Sequence, residues 1–179
     1  MLEKILAKFK SNDSQLWSKT EEFDASWKTR IALMASYIDV PGTVADFGCG
    51  MMWLEAYLSK DNPYLPIDYI QRDSRTIVLD LNRDSIPNLN ADIAFLSGIL
   101  EYIEDLDSFL QQLIECKFKK ILVSYCTIEN LSSIKIRKKL NWVSHESIFI
   151  ILSVFCKKYT LVHIDRISNN TILIFNNKL

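Results

Sequence analysis

The stretch V-A-D-F-G-C-G-M-M-W, residues 44–53, places two glycines directly after a short apolar run. They are Gly48 and Gly50, in a chain that has only four glycines among its 179 residues. The pattern predicts a buried strand followed by a tight loop. In an open α/β sheet the ligand lies beyond the carboxyl ends of the strands, and glycine lets the backbone approach where a Cβ would collide. These ten residues therefore predict a ligand site at the end of the first strand.

Outward from this strand, short apolar runs alternate with helical patterns. The predicted strands cover 43–47, 64–68, 76–80, 91–97 and 120–125, and the predicted helices cover 51–59, 106–117, 132–140 and 146–157. Such alternation predicts an α/β fold with a parallel sheet covered by helices. The segment 159–177 contains two strand patterns around a Ser-Asn-Asn turn. It predicts a hairpin that closes the sheet with an antiparallel strand.

Composition favours a globular chain and gives no reason to expect a polyanionic partner. Hydrophobic residues make up 49% and charged residues 24%, and the formal net charge is -1. Nucleic acid is therefore not an expected partner. The chain has no repeat or low-complexity segment, so we expect a single domain over 1–179. Helical patterns over 2–9 and 21–38 predict a helical cap within 1–40, ahead of a core over 41–179.

The cysteines indicate neither a metal site nor a disulfide framework. No C-x-x-C pair is present among Cys49, Cys116, Cys126 and Cys156, and the chain has only two histidines. We expect no bound metal and a reducing, cytoplasmic setting. The charged N-terminal stretch does not resemble a signal peptide. The longest apolar run, 148–156, is too short to span a bilayer and predicts a buried helix, so no membrane partner is expected.

Residues 44–50 closely resemble motif I of the class I S-adenosylmethionine-dependent methyltransferases, D-x-G-x-G-x-G. Asp46, Gly48 and Gly50 match its first three fixed positions, and Met52 replaces the third glycine. That replacement argues against a dinucleotide loop, which needs its full glycine spacing around a pyrophosphate. S-adenosyl-L-methionine has no phosphate and needs less room. The resemblance implies this cofactor and a Rossmann-like, seven-stranded, mostly parallel sheet with helices on both faces and a reversed last strand.

The resemblance extends over about residues 43–125 and implies further cofactor contacts. The segment 91–102 is similar to motif IV of small methyltransferases that act on small molecules. The implied contacts are Asp46, Gly48, Cys49 and Gly50 in the loop, Asp68 at the ribose, Asp80 with Leu81 near the adenine, and Ser97 with Gly98.

Each implied contact also has a structural interpretation. Asp46 could hydrogen-bond a ligand amine, or it could order the loop by accepting from the backbone N–H groups of the loop. Asp68 follows Pro66 and could be a turn acid, and Asp80 could cap the turn after it. Cys49 suits packing in a crowded loop because its side chain is small.

The sequence gives fewer indications of which residues would bind a methyl acceptor. Tyr102 and Tyr125, at predicted strand ends, are candidate substrate contacts or half-buried core residues with their hydroxyls in water. Arg30, on the helix before the sheet, could contact a ligand, pair with the cofactor carboxylate or lie on the surface. The Ser-His-Glu-Ser segment that contains His145 predicts a helix start capped by Ser144. No catalytic base is assigned, which suits catalysis by alignment and exclusion of water.

Three functions from different classes remain open. The leading one is methyl transfer to a small-molecule acceptor by in-line displacement. The second is a non-catalytic S-adenosylmethionine-binding or interaction module with the same fold. The third is a nucleic-acid or protein methyltransferase that uses the basic stretch 134–140, for which a solvated helix face is the preferred interpretation. The absence of an N/D-P-P-Y signature after the fourth strand disfavours methylation of base amino groups.

One spacing departs from the expected fold. Only seven residues separate Asp68 from Thr76, whereas a parallel crossover normally needs a dozen or more. Either the connecting helix has shrunk to a loop or the second strand is misplaced. A shrunken helix would expose that sheet edge and favour a partner or a homodimer contact.

Overall fold

One seven-stranded sheet forms the centre of the structure, a computed structural model that describes residues 23–178. Its strands are β1 (Val44–Phe47), β2 (Tyr64–Asp68), β3 (Ile77–Val78), β4 (Ile93–Ser97), β5 (Lys120–Tyr125), β6 (Tyr159–Ile167) and β7 (Asn170–Asn177). The spatial order is β3-β2-β1-β4-β5-β7-β6. Pairs among β1 to β5 are parallel, and β7 is antiparallel to both β5 and β6. The predicted mostly parallel sheet with a C-terminal hairpin is confirmed.

Four α-helices and two short 3₁₀ helices accompany the sheet within the described residues. They are α1 (Trp27–Ala35), α2 (Leu106–Glu115), α3 (Ile134–Lys139), α4 (Ile148–Phe155) and the 3₁₀ helices Trp53–Tyr57 and Leu100–Tyr102. None of the helices in residues 23–178 is long and apolar enough to cross a membrane. The helical pattern over 2–9 and the first two residues of the pattern 21–38 lie outside the described residues.

The helix predicted over 51–59 is wrong in type and length. Only a five-residue 3₁₀ helix, Trp53–Tyr57, forms there. Met52, just before it, has a left-handed φ of 56°, which a continuing α-helix does not allow. The chain therefore turns through the loop and reaches β2 without an α-helical crossover.

Side chains that alternate along the strands pack into two cores on opposite faces of the sheet. Ala45 and Phe47 point to one face, where α2 and α4 supply buried residues such as Phe109 and Phe155. Val44 points to the other face, against α1 and the first 3₁₀ helix. Because every residue of β1 is buried, the loop that follows starts from a rigid support.

The connection between β2 and β3 contains no helix, which is the first of the two alternatives that the short spacing left open. Residues 69–76 form bends and turns, and β3 is only two residues long at the edge of the sheet. Val78 on this edge is 57% exposed. A partner or homodimer contact at this edge stays a prediction.

Candidate ligand-binding site

The loop after β1 adopts a backbone that requires glycine. Gly48 and Gly50 have φ values of 72° and 49°, in the left-handed region. A Cβ on Gly48 would lie 2.8 Å from Ile99 Cδ1, and one on Gly50 would lie 2.7 Å from Phe23 Cε2. Met52, at the position of the missing third glycine, keeps a left-handed φ of 56°. The loop therefore has the same type of backbone at all three positions, although only two are glycines.

Asp68 ties this loop to the end of β2. Its side chain is 5% exposed, and Oδ2 accepts from the backbone N of Gly50 at 2.9 Å and from Arg72 Nε at 3.2 Å. Oδ1 accepts from the backbone N of Ile70 at 3.0 Å and from Arg72 Nη2 at 3.3 Å. A carboxylate offers about four acceptor positions, so Arg72 and the two amides use all of them. Asp68 lies beside the glycine loop, as the resemblance implies, but it also orders a turn.

Aromatic side chains cover the glycine loop. The ring of Phe23 lies over Gly50, with ring centroids 5.6 Å from Trp27 and 6.5 Å from Trp53. The Arg72 guanidinium carbon lies 5.8 Å from the centroid of Phe23. Sequence reasoning missed Phe23 and Arg72. No local pattern could have found Arg72, because it lies in a connection without a helix or strand.

Asp46 and Cys49 are buried beneath the loop. Asp46 accepts a hydrogen bond of 2.8 Å from the hydroxyl of Tyr64 on the neighbouring strand. The pKa of Asp46 is raised to about 7, chiefly by burial; the Tyr64 hydrogen bond lowers it and the charge of Asp68 raises it, both by less than burial does. Burial also raises the pKa of the Cys49 thiol, which keeps it protonated and unreactive. Both residues support the loop, and their contact with a cofactor stays a prediction.

Three of the expected residues meet at the end of β4. Arg30 Nε donates to Ser97 Oγ at 3.0 Å, and Arg30 Nη2 donates to the Ser97 carbonyl at 3.5 Å. A Cβ on Gly98 would collide with Arg30 Nη2, and the Gly98 N–H donates to Ser124 Oγ at 2.9 Å. The absent Gly98 side chain thus makes the space that the Arg30 guanidinium occupies.

Asp80 and Leu81 lie in a turn that is tied to the segment after β4. Asp80 pairs with Arg83 at 3.0 Å and accepts from the backbone N of Asn82, as a turn acid does. Asn82 in turn donates to the Tyr102 carbonyl at 2.9 Å. Leu81 packs, partly buried, against the edge of the core. Contact of Asp80 and Leu81 with an adenine stays a prediction.

Tyr125 is buried, and the interpretation that its hydroxyl lies in water is wrong. It is 1% exposed, its hydroxyl oxygen lies 2.9 Å from Ser144 Oγ, and it accepts from the Glu146 N–H at 2.8 Å. The segment 142–146 covers it. The cap predicted at Ser144 is also wrong, because Ser147 caps α4 by accepting from the Phe149 N–H.

Arg137 is fully buried, so the prediction of a solvated face for 134–140 is wrong at this position. Its side chain donates to the carbonyls of Cys126 and Ser144, both at 2.8 Å, and to His145 Nδ1 at 3.1 Å. The other residues of the stretch are exposed. Arg137 thereby fixes the segment that covers Tyr125.

Glu101 and Tyr102 complete this region. Glu101 is 2% exposed, Oε1 accepts from the Cys126 N–H at 2.8 Å, and Oε2 has no hydrogen-bond partner in the described residues. Burial raises the pKa of Glu101. The Tyr102 hydroxyl accepts from Trp142 Nε1 at 3.2 Å, and burial raises the pKa of Tyr102 to about 12. Substrate contact by Tyr102 stays a prediction.

Comparison with known proteins shows similarity in structure alone. No protein-family model and no curated protein sequence matches this chain. Among solved structures, 1,6-didemethyltoxoflavin-N1-methyltransferase from Burkholderia thailandensis has a TM-score of 0.67 at 10% identity, over 98% of this chain and 89% of that one. The N-methyltransferase NodS from Bradyrhizobium japonicum has a TM-score of 0.63 at 11% identity, with 88% and 89% covered. An S-adenosylmethionine-dependent methyltransferase from Mesorhizobium loti has a TM-score of 0.64 at 13% identity, with 82% and 96% covered.

Proposed function

We propose that this chain, which has the fold of the class I S-adenosylmethionine-dependent methyltransferases, binds S-adenosyl-L-methionine and transfers its methyl group to a small-molecule acceptor. The observation that carries the proposal is the loop of Gly48 and Gly50. Its backbone is left-handed, and it is anchored to Asp68 at the end of the neighbouring strand. That combination lies at the edge of the sheet where ligands bind in open α/β folds.

The residues present fit the cofactor, with one exception. The loop backbone from Gly48 to Gly50 would lie along the cofactor, although the side chains of Ile99 and Phe23 take up the space that a Cβ on Gly48 and on Gly50 would fill. Ser97 and Gly98 would contact it from β4, and Asp80 with Leu81 from the turn after β3. Asp68 would accept from the ribose hydroxyls, but Arg72 holds the same carboxylate oxygens. Ribose binding by Asp68 therefore requires that Arg72 move away.

Two of the similar solved structures support this choice of cofactor. The Burkholderia and Bradyrhizobium enzymes were both solved with S-adenosylhomocysteine, the product that remains after methyl transfer. The first also holds its small-molecule substrate, 1,6-didemethyltoxoflavin. A small-molecule acceptor is therefore our preference for this chain as well.

The chain would contribute binding, orientation and exclusion of water. The cofactor, when bound, supplies a methyl group on a positively charged sulfur. Phe23, Trp27 and Trp53 shield the glycine loop from water. Arg30 and Tyr102, beside the end of β4, would orient the acceptor for in-line attack. We assign no general base, because Asp46, Asp68 and Glu101 are all buried, with exposures of 5%, 5% and 2%.

A second candidate function, a non-catalytic cofactor-binding or interaction module, is favoured by one observation. Arg72 and the backbone amides of Gly50 and Ile70 together occupy the acceptor positions of the Asp68 carboxylate. Turnover separates the two candidates. The purified protein is incubated with S-adenosylmethionine and a panel of small hydroxy, amino and carboxylic acids, and release of S-adenosylhomocysteine is measured. Release with one acceptor, lost in Gly48→Val, supports the enzyme, whereas cofactor binding with no release from any acceptor supports the module.

The cysteines bear on the setting in which the protein works. Cys49, Cys116, Cys126 and Cys156 are all free thiols. Free thiols are typical of a reducing compartment, so we place the protein in the cytoplasm.

A further inference from the structure

The helix α3 buries its arginine and exposes its aliphatic side chains. Arg137 is the one buried residue of Ile134–Lys139. Ile134 and Ile136 are 37% and 47% exposed, and Leu140, directly after the helix, is 45% exposed. A surface helix normally turns its apolar side to the core and its charged side to water. In α3 this arrangement is reversed.

Buried hydrogen bonds hold α3 in this orientation. Arg137 donates to the carbonyls of Cys126, Thr127 and Ser144 at 2.8, 3.2 and 2.8 Å. Because successive helical residues are about 100° apart around the axis, a rotation of α3 by roughly 80° would turn its exposed aliphatic side chains inward and Arg137 outward. The Arg137 hydrogen bonds oppose that rotation. The fold therefore fixes the aliphatic side chains on the outside.

The exposed charges of α3 all have one sign. Lys135, Lys138 and Lys139 are exposed and make no ion pair with any residue in 23–178. Residues 130–145 include no acidic residue, although the net charge of the chain is -1. On a helix these three lysines lie opposite Arg137, with aliphatic residues on both flanks. We call the six exposed residues the α3 surface: Ile134, Lys135, Ile136, Lys138, Lys139 and Leu140.

The α3 surface lies at the same end of the sheet as the glycine loop. The Arg137 side chain binds the carbonyl of Cys126, the residue that follows β5. The N–H groups of Val143 and Ser144, after the helix, donate to the Glu101 carbonyl at 2.9 and 3.0 Å. Because β1, β4 and β5 are parallel, their carboxyl ends share one edge of the sheet. A partner that binds the α3 surface would therefore be held close to the candidate ligand site.

The residue types of the α3 surface distinguish among possible partners. Protein–protein interfaces are depleted in lysine and enriched in arginine and aromatic residues, which this surface lacks. Single-stranded nucleic acid is bound by aromatic side chains and arginine that stack on its bases. A second copy of the same surface would bring like charges together. Lysine beside exposed aliphatic side chains is typical of helices on an anionic bilayer, where the aliphatic groups enter the acyl boundary and the lysines reach the headgroups.

We propose that the α3 surface docks the protein onto the anionic lipids of a bilayer surface. The cytoplasmic leaflet carries such lipids. The contact lies on the bilayer and does not cross it. It departs from the expectation that no membrane is a partner, because the short apolar run 148–156 argues only against a span. The inference does not depend on cofactor binding.

Co-sedimentation of the purified full-length chain with lipid vesicles tests the inference. The wild-type protein should bind vesicles of equal parts phosphatidylglycerol and phosphatidylcholine, and it should not bind vesicles of phosphatidylcholine alone. Binding should weaken as the salt concentration rises. Lys135→Gln, Lys138→Gln and Lys139→Gln, combined in one variant, should weaken binding by about a hundredfold, because three attractive charges are lost.

A second variant tests the aliphatic side chains, and a third is the matched control. Ile136→Gln with Leu140→Gln keeps the charges and should weaken binding by about tenfold. Lys157→Gln with Lys158→Gln removes two exposed lysines just after α4, outside the α3 surface, and should bind as the wild-type protein does. All substituted positions are exposed, so the melting temperatures should not change.

Four outcomes would overturn the inference. They are no binding of the wild-type protein to the anionic vesicles, undiminished binding by either α3-surface variant, an equal loss in the Lys157 and Lys158 control, and binding to soluble poly-L-glutamate in place of vesicles. The last outcome would assign the surface to an acidic protein partner. None of the four bears on the proposed function, which cofactor titration tests separately.

Discussion

The guanidinium of Arg72 donates to both carboxylate oxygens of Asp68, from Nε at 3.2 Å and from Nη2 at 3.3 Å. The pair is almost fully buried, with side-chain exposures of 8% and 5%. The backbone amides of Gly50 and Ile70 occupy the remaining acceptor positions of the carboxylate. A ribose that binds Asp68 therefore competes directly with Arg72.

This competition predicts that Arg72→Ala binds S-adenosylhomocysteine more tightly than the wild-type protein, by about tenfold. Calorimetric titration measures the change. Arg75→Ala is the control, because Arg75 lies in the same loop and makes an exposed ion pair with Glu55. We expect its affinity to equal that of the wild-type protein. Weaker binding by Arg72→Ala, with an unchanged melting temperature, would mean that Arg72 holds the ligand itself.

Substitution of a glycine in the loop after β1 should remove cofactor binding, and this effect can be separated from the loss of stability by a matched glycine variant elsewhere. In Gly48→Val a Cβ enters a left-handed position against Ile99, and in Gly42→Val it enters one against Asp92, before β1 at the opposite end of the strand. Both variants should lower the melting temperature. Only Gly48→Val should lose affinity for S-adenosylhomocysteine in the folded protein. Unchanged affinity in Gly48→Val would show that the loop does not contact the cofactor.

Asp46 predicts a pH dependence of stability. Its pKa is raised to about 7 in the folded chain, chiefly by burial, against about 4 when unfolded. The folded state therefore holds the proton more tightly, so this contribution to stability is complete below about pH 4 and is lost as pH rises through about 7. Urea unfolding across this range should show a steeper decline for the wild-type protein than for Asp46→Asn. The same slope in both would contradict the raised pKa.

The buried hydrogen bonds of Arg137 predict that its substitution destabilises the fold, unlike substitution of the exposed residues in the basic stretch 134–140. Arg137→Met leaves the carbonyls of Cys126 and Ser144 without their donor and removes a fully buried charge. We expect a loss of about 3 kcal/mol in the free energy of unfolding, measured in urea. Lys138→Met, at the exposed neighbouring position, should leave it unchanged. Equal effects of the two variants would show that the Arg137 hydrogen bonds contribute little.

The strands and the glycine loop could be predicted because their signals are local. The apolar run of β1 ends at two glycines. The short spacing after Asp68 left two alternatives open, a shrunken helix or a misplaced strand, and the structure has a helix-free connection over residues 69–76. Burial of Arg137 could not be predicted in this way. Ile136 on α3 and Leu140 directly after it are exposed, so the apolar pattern points away from the core. Its partners come from segments around 126 and 144 that only the tertiary fold brings together.

Some of the site residues could likewise be predicted from the sequence, and others could not. Gly48, Gly50 and Asp68 lie together because they end adjacent strands, which strand order alone implies. The occupation of Asp68 by Arg72 depends on a helix-free loop whose conformation no periodic pattern specifies. Arg30 reaches Ser97 from a separate helix, a contact across 67 residues of sequence.

The measurement that tests the central claim most directly is calorimetric titration of the purified protein, first freed of any carried ligand, with S-adenosylmethionine and S-adenosylhomocysteine. We expect saturable binding of both at one site per chain, with micromolar affinity and loss of binding in Gly48→Val. Absence of binding to the folded, ligand-free wild-type protein and to Arg72→Ala alike would contradict the claim that this glycine loop is a cofactor site.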